Sequence, residues 1–166
     1  MLKPIIPYAK DARGKDRDGF VADHPHAVFV VQPFEAVETD SFQTLSGGGP
    51  AAGNTIAVAE ICKRPGSNAF TSMVTIGRAG NNDVRINAKS VSKFHAYVMI
   101  VGEELRLVDA GSTYGTHLGG QQLKAREDKI PLSSGDVVRI GTISMTFYAP
   151  ADFHAMLLEA GQKAAL

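Results

Sequence analysis

The chain has 166 residues, and its 17 lysines and arginines are balanced by 17 aspartates and glutamates. That neutral balance excludes broad, sequence-blind nucleic-acid binding, which needs a basic surface. The length suits one domain with arms. The lone cysteine, Cys62, excludes an internal disulfide, and no run approaches the ~20 apolar residues of a membrane helix.

The opening Met-Leu-Lys-Pro-Ile-Ile-Pro lacks the apolar core of a signal peptide, so a cytoplasmic protein is expected. Residues 1–22 are charged with alternating sign around Asp11–Gly19, and the expectation for them is disorder. Ala27–Val31 is strongly apolar and is closed by Pro33. It reads as a docked edge strand or, failing that, a partner-binding segment. Residues 38–54 turn polar and end in Ser46-Gly47-Gly48-Gly49-Pro50, a linker composition.

From residue 55 the pattern tightens. Thr55–Lys63 and Ala69–Ile76 read as strands around the turn Arg64–Asn68. Asp83–Ile86 is short and alternating. His95–Val101 and Glu104–Val108 flank a turn at Gly102-Glu103, Gly119-Gly120 turns again, and Val137–Ile140 and Ile143–Tyr148 flank Gly141-Thr142. Short strands at near-regular spacing predict an all-β, two-sheet sandwich of about ten or eleven strands. Phe153, Met156, Leu157 and Ala160 follow helical spacing, so a short C-terminal helix is expected to end near Gly161 and to pack on the sandwich. The expected division is an arm over 1–54, a domain over 55–149, and a helix and tail over 150–166.

Catalytic motifs are missing. There is no Gly-x-x-x-x-Gly-Lys-Ser/Thr, no Gly-x-Ser-x-Gly and no His-Glu-x-x-His. His24 and His26 flank Pro25 without further ligands at metal spacing, and Cys62 reads as an inert thiol in mid-strand. The expectation is a non-enzyme without metal or cofactor.

Three clusters remain: Gly77-Arg78, Ser92-Lys93-Phe94-His95, and Ser112-Thr113-Tyr114-Gly115-Thr116. They offer a fixed cation, small hydroxyls, and glycines that let backbone come close. A phosphothreonine carries about −1.5 to −2 charges and three acceptor oxygens, which a planar guanidinium meets with a fork of donors. Read singly, Arg78 is equally a surface charge, Ser92 a turn cap, Lys93 a solvated side chain and Thr113 a loop stabiliser.

In order and spacing, Gly77-Arg78, Asp83-Val84, Ser92-x-x-His95, Asp109, Ser112-x-x-Gly115-Thr116 and Gly135–Gly141 together resemble the forkhead-associated (FHA) domain, across roughly residues 55–148. The resemblance implies an FHA/SMAD-like sandwich whose end loops bind phosphothreonine peptides. Arg78 would pair with the phosphate, Ser92 and Thr113 would hydrogen-bond to it, and Lys93 would touch its rim. His95 would brace the loop carrying Ser92, and Gly77, Gly115 and Thr116 would support the site. Asn81, Lys89 and Tyr114 are the expected specificity positions. The implied role is a phosphothreonine-reading adaptor in Ser/Thr kinase signalling, without nucleic acid or membrane. A phosphorylation-independent interaction module, using residues 27–31 or the C-terminal helix, is the competing reading.

One position departs from the family. FHA domains usually carry asparagine where this chain has Tyr114, and that asparagine holds the peptide backbone. A phenol lacks the paired donor and acceptor of an amide, so weakened or unusually selective binding is expected. The ring either covers a ligand side chain or fills the groove. The layout is also similar to small bacterial FHA proteins in which a phosphorylated N-terminal threonine folds onto its own domain. Thr39 and Thr44 are the candidate sites here.

Overall fold

The structure, a computed structural model, describes residues 1–36 and 55–164. Twelve strands and three helices follow in chain order among these residues: β1 (Leu2–Pro4), α1 (Ile6–Gly14), α2 (Arg17–Asp23), β2 (Val28–Val31), β3 (Ala57–Glu60), β4 (Met73–Gly77), β5 (Val84–Arg85), β6 (Ala96–Val101), β7 (Glu104–Asp109), β8 (Thr116–Leu118), β9 (Gln121–Gln122), β10 (Ile130–Pro131), β11 (Val137–Ile140), β12 (Ile143–Tyr148) and α3 (Pro150–Ala164). A seven-stranded sheet runs β1-β3-β2-β12-β11-β8-β9, and a five-stranded sheet runs β10-β7-β6-β4-β5. The pairings are antiparallel except for β4 with β5. This is the all-β, two-sheet sandwich expected from the strand spacing.

Strand alternation builds the core. In β6 and β11, Ala96, Val98, Val138 and Ile140 point inward and are fully buried. They pack with Val74, Ile76, Leu107 and Met145 between the sheets, as period-two patterning requires. The predicted strand 55–63 is shorter than expected. It ends at Glu60, and Cys62 lies just beyond it, half-buried, with its thiol pushed up by burial.

Three findings correct the expectations for the arm and the tail. Residues 1–22 are ordered here, as β1, α1 and most of α2. Ile5, Tyr8 and Ala12 recur at helical spacing, Asp16 caps α2 by accepting the Gly19 N–H at 2.9 Å, and Phe20 is wholly buried. The charges lie on the opposite faces, which is why the segment reads as polar.

The apolar run at 27–31 forms an interior strand rather than an edge. β2 lies between β3 and β12, so the large sheet crosses the expected boundary at residue 54. Both faces of β2 are covered: Phe29 and Val31 enter the inter-sheet core. Val28 and Val30 pack on Tyr8, Phe20, Phe153 and Leu157 under the helices. A strand buried on both faces reads as a continuous apolar run, and it is not free to meet a partner.

The C-terminal helix continues past Gly161 to Ala164, because Gly161 does not take the left-handed conformation that would end it. It packs against α1 and α2 as well as β12. His154 is buried and its Nε2 lies 3.2 Å from the carbonyls of both Ala12 and Lys15 at the end of α1. Among the described residues no helix is long and apolar enough to cross a membrane.

Candidate functional site

The three clusters converge at one end of the sandwich because β4, the loop before β6, and the loop before β8 are stitched together by backbone. The N–H groups of Arg78 and Ala79 donate to the carbonyls of Ser92 and Lys93, at 2.9 and 3.2 Å. Gly77 makes that approach feasible: a Cβ there would run into the Lys93 carbonyl. Buried Asn82 reinforces the junction, donating to the carbonyls of Ala79 and Lys93.

His95, with no exposed surface, joins the three segments. Its backbone N–H donates to Ile76 and its carbonyl accepts from Ala110. Nδ1 lies 3.0 Å from the Ser92 backbone N–H and must accept, so Nε2 carries the proton and donates to the Gly115 carbonyl, also at 3.0 Å. Burial holds the imidazole below its ordinary value of 6.5, despite the pull of the Gly115 carbonyl and Asp109. The ring is neutral at neutral pH and fixes the spacing of the Ser92 and Gly115 loops.

Asp109 organises the third cluster. Its carboxylate accepts from the backbone N–H groups of Gly111 and Ser112 and from the hydroxyls of Ser112 and Thr116. Burial raises its proton affinity, but these four donors outweigh it and hold the carboxyl below the ordinary carboxylate value. Thr116 is fully buried in this role. Gly115 sits at φ +83°, a conformation that favours glycine.

Arg78, Ser92 and Thr113 are brought together. The Ser92 hydroxyl oxygen accepts the Thr113 N–H at 3.0 Å, which leaves its own proton free to donate outward. The Arg78 Nε donates to the Val91 carbonyl at 3.0 Å, which orients the guanidinium. No carboxylate of the described residues pairs with Arg78. A held guanidinium, a free serine proton and the exposed Thr113 thus form a donor-rich surface. Lys93 is exposed beside it.

Tyr114 stands apart. It is 64 % exposed and borders a depression of about 400 Å³ lined also by Lys89, Ser90, Arg139, Gly141 and Thr142. Lys89, Ser90 and Thr142 also line a neighbouring groove with Phe34, Glu35 and Ala36. Thr39 and Thr44 lie outside the described residues. Asn81 is exposed, and its carbonyl accepts from Asn68.

Sequence reasoning gave Asp83 no structural role. Its buried carboxylate accepts from Lys63 Nζ at 2.6 Å and from the Ser67 hydroxyl, and from the backbone N–H groups of Arg64 and Thr75, both at 2.9 Å. Burial opposes ionisation, yet these donors hold the acid far below its ordinary value. It pins the 64–68 turn to β4. The signal for it was Asp83-Val84 as one of the motifs that carry the family resemblance, which assigned the acid no role.

Comparison with known proteins agrees with this geometry. The FHA domain family model matches residues 74–141. The chain is similar to the ABC transporter ATP-binding/permease protein Rv1747 of Mycobacterium tuberculosis, 35 % identical over 103 residues, covering 60 % of this chain and 11 % of that protein. It is also similar to the glycogen accumulation regulator GarA of Mycolicibacterium smegmatis, 29 % identical over 101 residues, 60 % of this chain and 61 % of that protein. The chain therefore spans less than two thirds of either relative. The N-terminal FHA domain of S. cerevisiae Rad53p, solved with a phosphothreonine peptide, has the same fold at TM-score 0.51 and 17 % identity, covering 79 % of this chain and 98 % of that one. An engineered FHA domain solved with a Myc-pTBD peptide superposes at TM-score 0.50 and 20 % identity, covering 80 % and 97 %. Residues 74–141, which hold all three clusters, thus match the FHA domain family.

Proposed function

We propose that the chain is a phosphothreonine-peptide-binding adaptor in Ser/Thr kinase signalling, acting in the cytoplasm. The observation that supports this most directly is the junction of Arg78, Ser92 and Thr113. Its guanidinium is oriented by the Val91 carbonyl, and the Ser92 hydroxyl keeps its proton because Thr113 N–H occupies its lone pair. Arg78 supplies the charge, Ser92 and Thr113 supply hydroxyl donors, and Lys93 lies at the rim. Rv1747 and GarA, both mycobacterial, favour a bacterial origin.

Tyr114 sets the strength of the interaction. A phenol in place of an asparagine forfeits about two neutral hydrogen bonds to peptide backbone, which lowers affinity roughly ten- to hundred-fold. The charge-assisted contacts of Arg78 are larger, so preference for a phosphorylated ligand persists.

The experiment is binding of phosphorylated and unphosphorylated threonine peptides from a degenerate library to wild type and Arg78→Ala. A reader prefers the phosphorylated pool and loses about ten- to 150-fold in affinity on substitution, the worth of one or more hydrogen bonds to a charged group. Equal binding of both pools, unchanged in Arg78→Ala, indicates a phosphorylation-independent module instead.

A second reading, a ligand within the chain's own arm, is favoured by one observation. Ala36 lines the groove next to Lys89, Ser90 and Thr142, which also border Tyr114. Thr39 is three residues farther along, a reach of about 10 Å. Tethering at about millimolar effective concentration offsets a weak site. Phosphorylation of Thr39 or Thr44 then lowers affinity for added phosphopeptide; unchanged affinity rules this out.

A further inference from the structure

The loops carrying Ser92 and Thr113 frame a second hollow that shares no residue with the Tyr114 depression. It encloses about 270 Å³ between Phe70, Met73, Phe94, Tyr97, Ala110 and Arg126. Phe94 follows Ser92 by two residues, and Ala110 precedes Ser112 by two, so both phosphate-facing loops run directly into its walls.

The walls are apolar, exposed and held. Phe70 is 51 % exposed and Phe94 42 % exposed, unusual for phenyl rings. Phe94 stacks on Tyr97 with centroids 5.9 Å apart and planes 21° from parallel. The Phe70 N–H donates to Asn68 Oδ1 at 3.1 Å, and Asn68 is bonded in turn to Thr75 and to the Lys63 ammonium. Phe94 precedes His95, whose ring and backbone are locked by four hydrogen bonds.

Arg126 closes the rim. Among the described residues it is the one non-glycine with positive φ, at 63°. Its N–H donates to the Asp109 carbonyl at 2.9 Å. Its guanidinium lies over Gly111, where a Cβ would meet Nη2 at 2.9 Å. Gly111 adjoins Ser112, so this second cation sits beside the loop that presents Thr113, and no carboxylate of the described residues pairs with it.

The hollow falls below the roughly 300–1,000 Å³ of small-molecule pockets; its size suits one side chain. Ring faces, a thioether and a guanidinium are the surfaces that attract a planar π-system. Phe94 is at most about 7–8 Å of chain from Ser92, which an extended peptide covers in roughly two or three residues.

We propose that this hollow seats an aromatic side chain of the bound peptide, so that the domain selects phosphothreonine with an aromatic residue roughly two to four positions away on one side. The inference rests on the phosphothreonine reading above and adds a ligand class to it. The occupant belongs to the peptide because the hollow is continuous with the loops that would hold the phosphate.

The test uses alanine-based phosphothreonine peptides in which a single phenylalanine is walked along each side of the phosphothreonine, titrated into the full chain by fluorescence anisotropy. At one or two neighbouring positions on one side, phenylalanine is expected to tighten binding about five- to tenfold over the all-alanine phosphopeptide. Phe94→Ala and Phe70→Ala each remove that gain and leave the all-alanine affinity unchanged. No position-dependent gain, or a gain that survives both substitutions, overturns the inference while leaving the phosphothreonine reading intact. So does a loss of all-alanine affinity in Phe94→Ala, which marks Phe94 as a support of the Ser92 loop. Self-association that disappears in Phe94→Ala, with peptide affinity unmoved, assigns the hollow to a second copy and overturns it too. If wild type binds the all-alanine phosphopeptide and its unphosphorylated form equally, both readings fall together.

Discussion

The Ser92 backbone N–H donates to Nδ1 of His95 at 3.0 Å, and this bond dictates the tautomer that lets Nε2 hold the Gly115 carbonyl. A buried ring thus sets the distance between two loops whose exposed side chains face solvent. Protonation of Nδ1 would turn an acceptor into a second donor facing an N–H.

That arrangement makes stability sensitive to mild acid. The native His95 value is depressed below 6.5 by burial, so the unfolded chain binds the proton first. Its contribution is fully present above about pH 6.5 and is lost as pH falls from there toward the depressed native value. Urea midpoints are expected to drop between pH 7 and the lower value in wild type. In His95→Ala that slope flattens, and stability at pH 7 falls by about 2–5 kcal/mol from the cavity and the stranded bonding groups.

Gly77→Ala tests the close approach of β4 to the Ser92 loop. The added Cβ meets the Lys93 carbonyl rather than a movable side chain, so the loop must shift. A cost of about 1–3 kcal/mol is expected. Phosphopeptide affinity should fall with it, because Arg78 and Ser92 share the displaced junction. Thermal denaturation and anisotropy read the two effects separately.

Tyr114→Asn has the opposite sign. The phenol is exposed, so its loss leaves stability within about 0.5 kcal/mol. Restoring an amide that pairs with peptide backbone raises phosphopeptide affinity roughly tenfold or more. An unchanged Kd would show that Tyr114 already supplies equivalent contacts.

Asp83→Ala removes the ion pair to Lys63, whose ammonium keeps Asn68 Oδ1 and the Met73 carbonyl, and strands the Arg64 and Thr75 N–H groups. Leaving those two N–H groups without an acceptor costs about 1–3 kcal/mol each. Because Asp83 is depressed in the native state, its contribution is present above the ordinary carboxylate value and disappears as pH falls below it. The mutant should therefore lose part of the wild-type acid sensitivity, measured by urea titration at descending pH.

Phe20→Ala tests whether the N-terminal helices belong to the fold. Phe20 is fully buried against Phe153 and His154, and a loss of about 3–5 kcal/mol is expected. An ordered but dispensable arm would give no change in the global denaturation midpoint.

The longer strands of the sandwich were legible as short apolar or alternating runs closed by turns, whereas the short β1, β8, β9 and β10 were not. The order Arg78, Ser92, His95, Thr113 was legible too, since each side chain needs a particular type at its place. Only the tertiary structure decided the rest. Val28–Val31 is apolar on both faces because a helical layer from residues 6–23 and 150–164 covers the second face, and no local window contains both partners. The helices at 6–23 looked disordered because their few apolar residues gain stability only against a sheet formed largely by later sequence. The hollow between Phe70, Phe94 and Arg126 joins residues from three separate loops, which periodicity cannot relate.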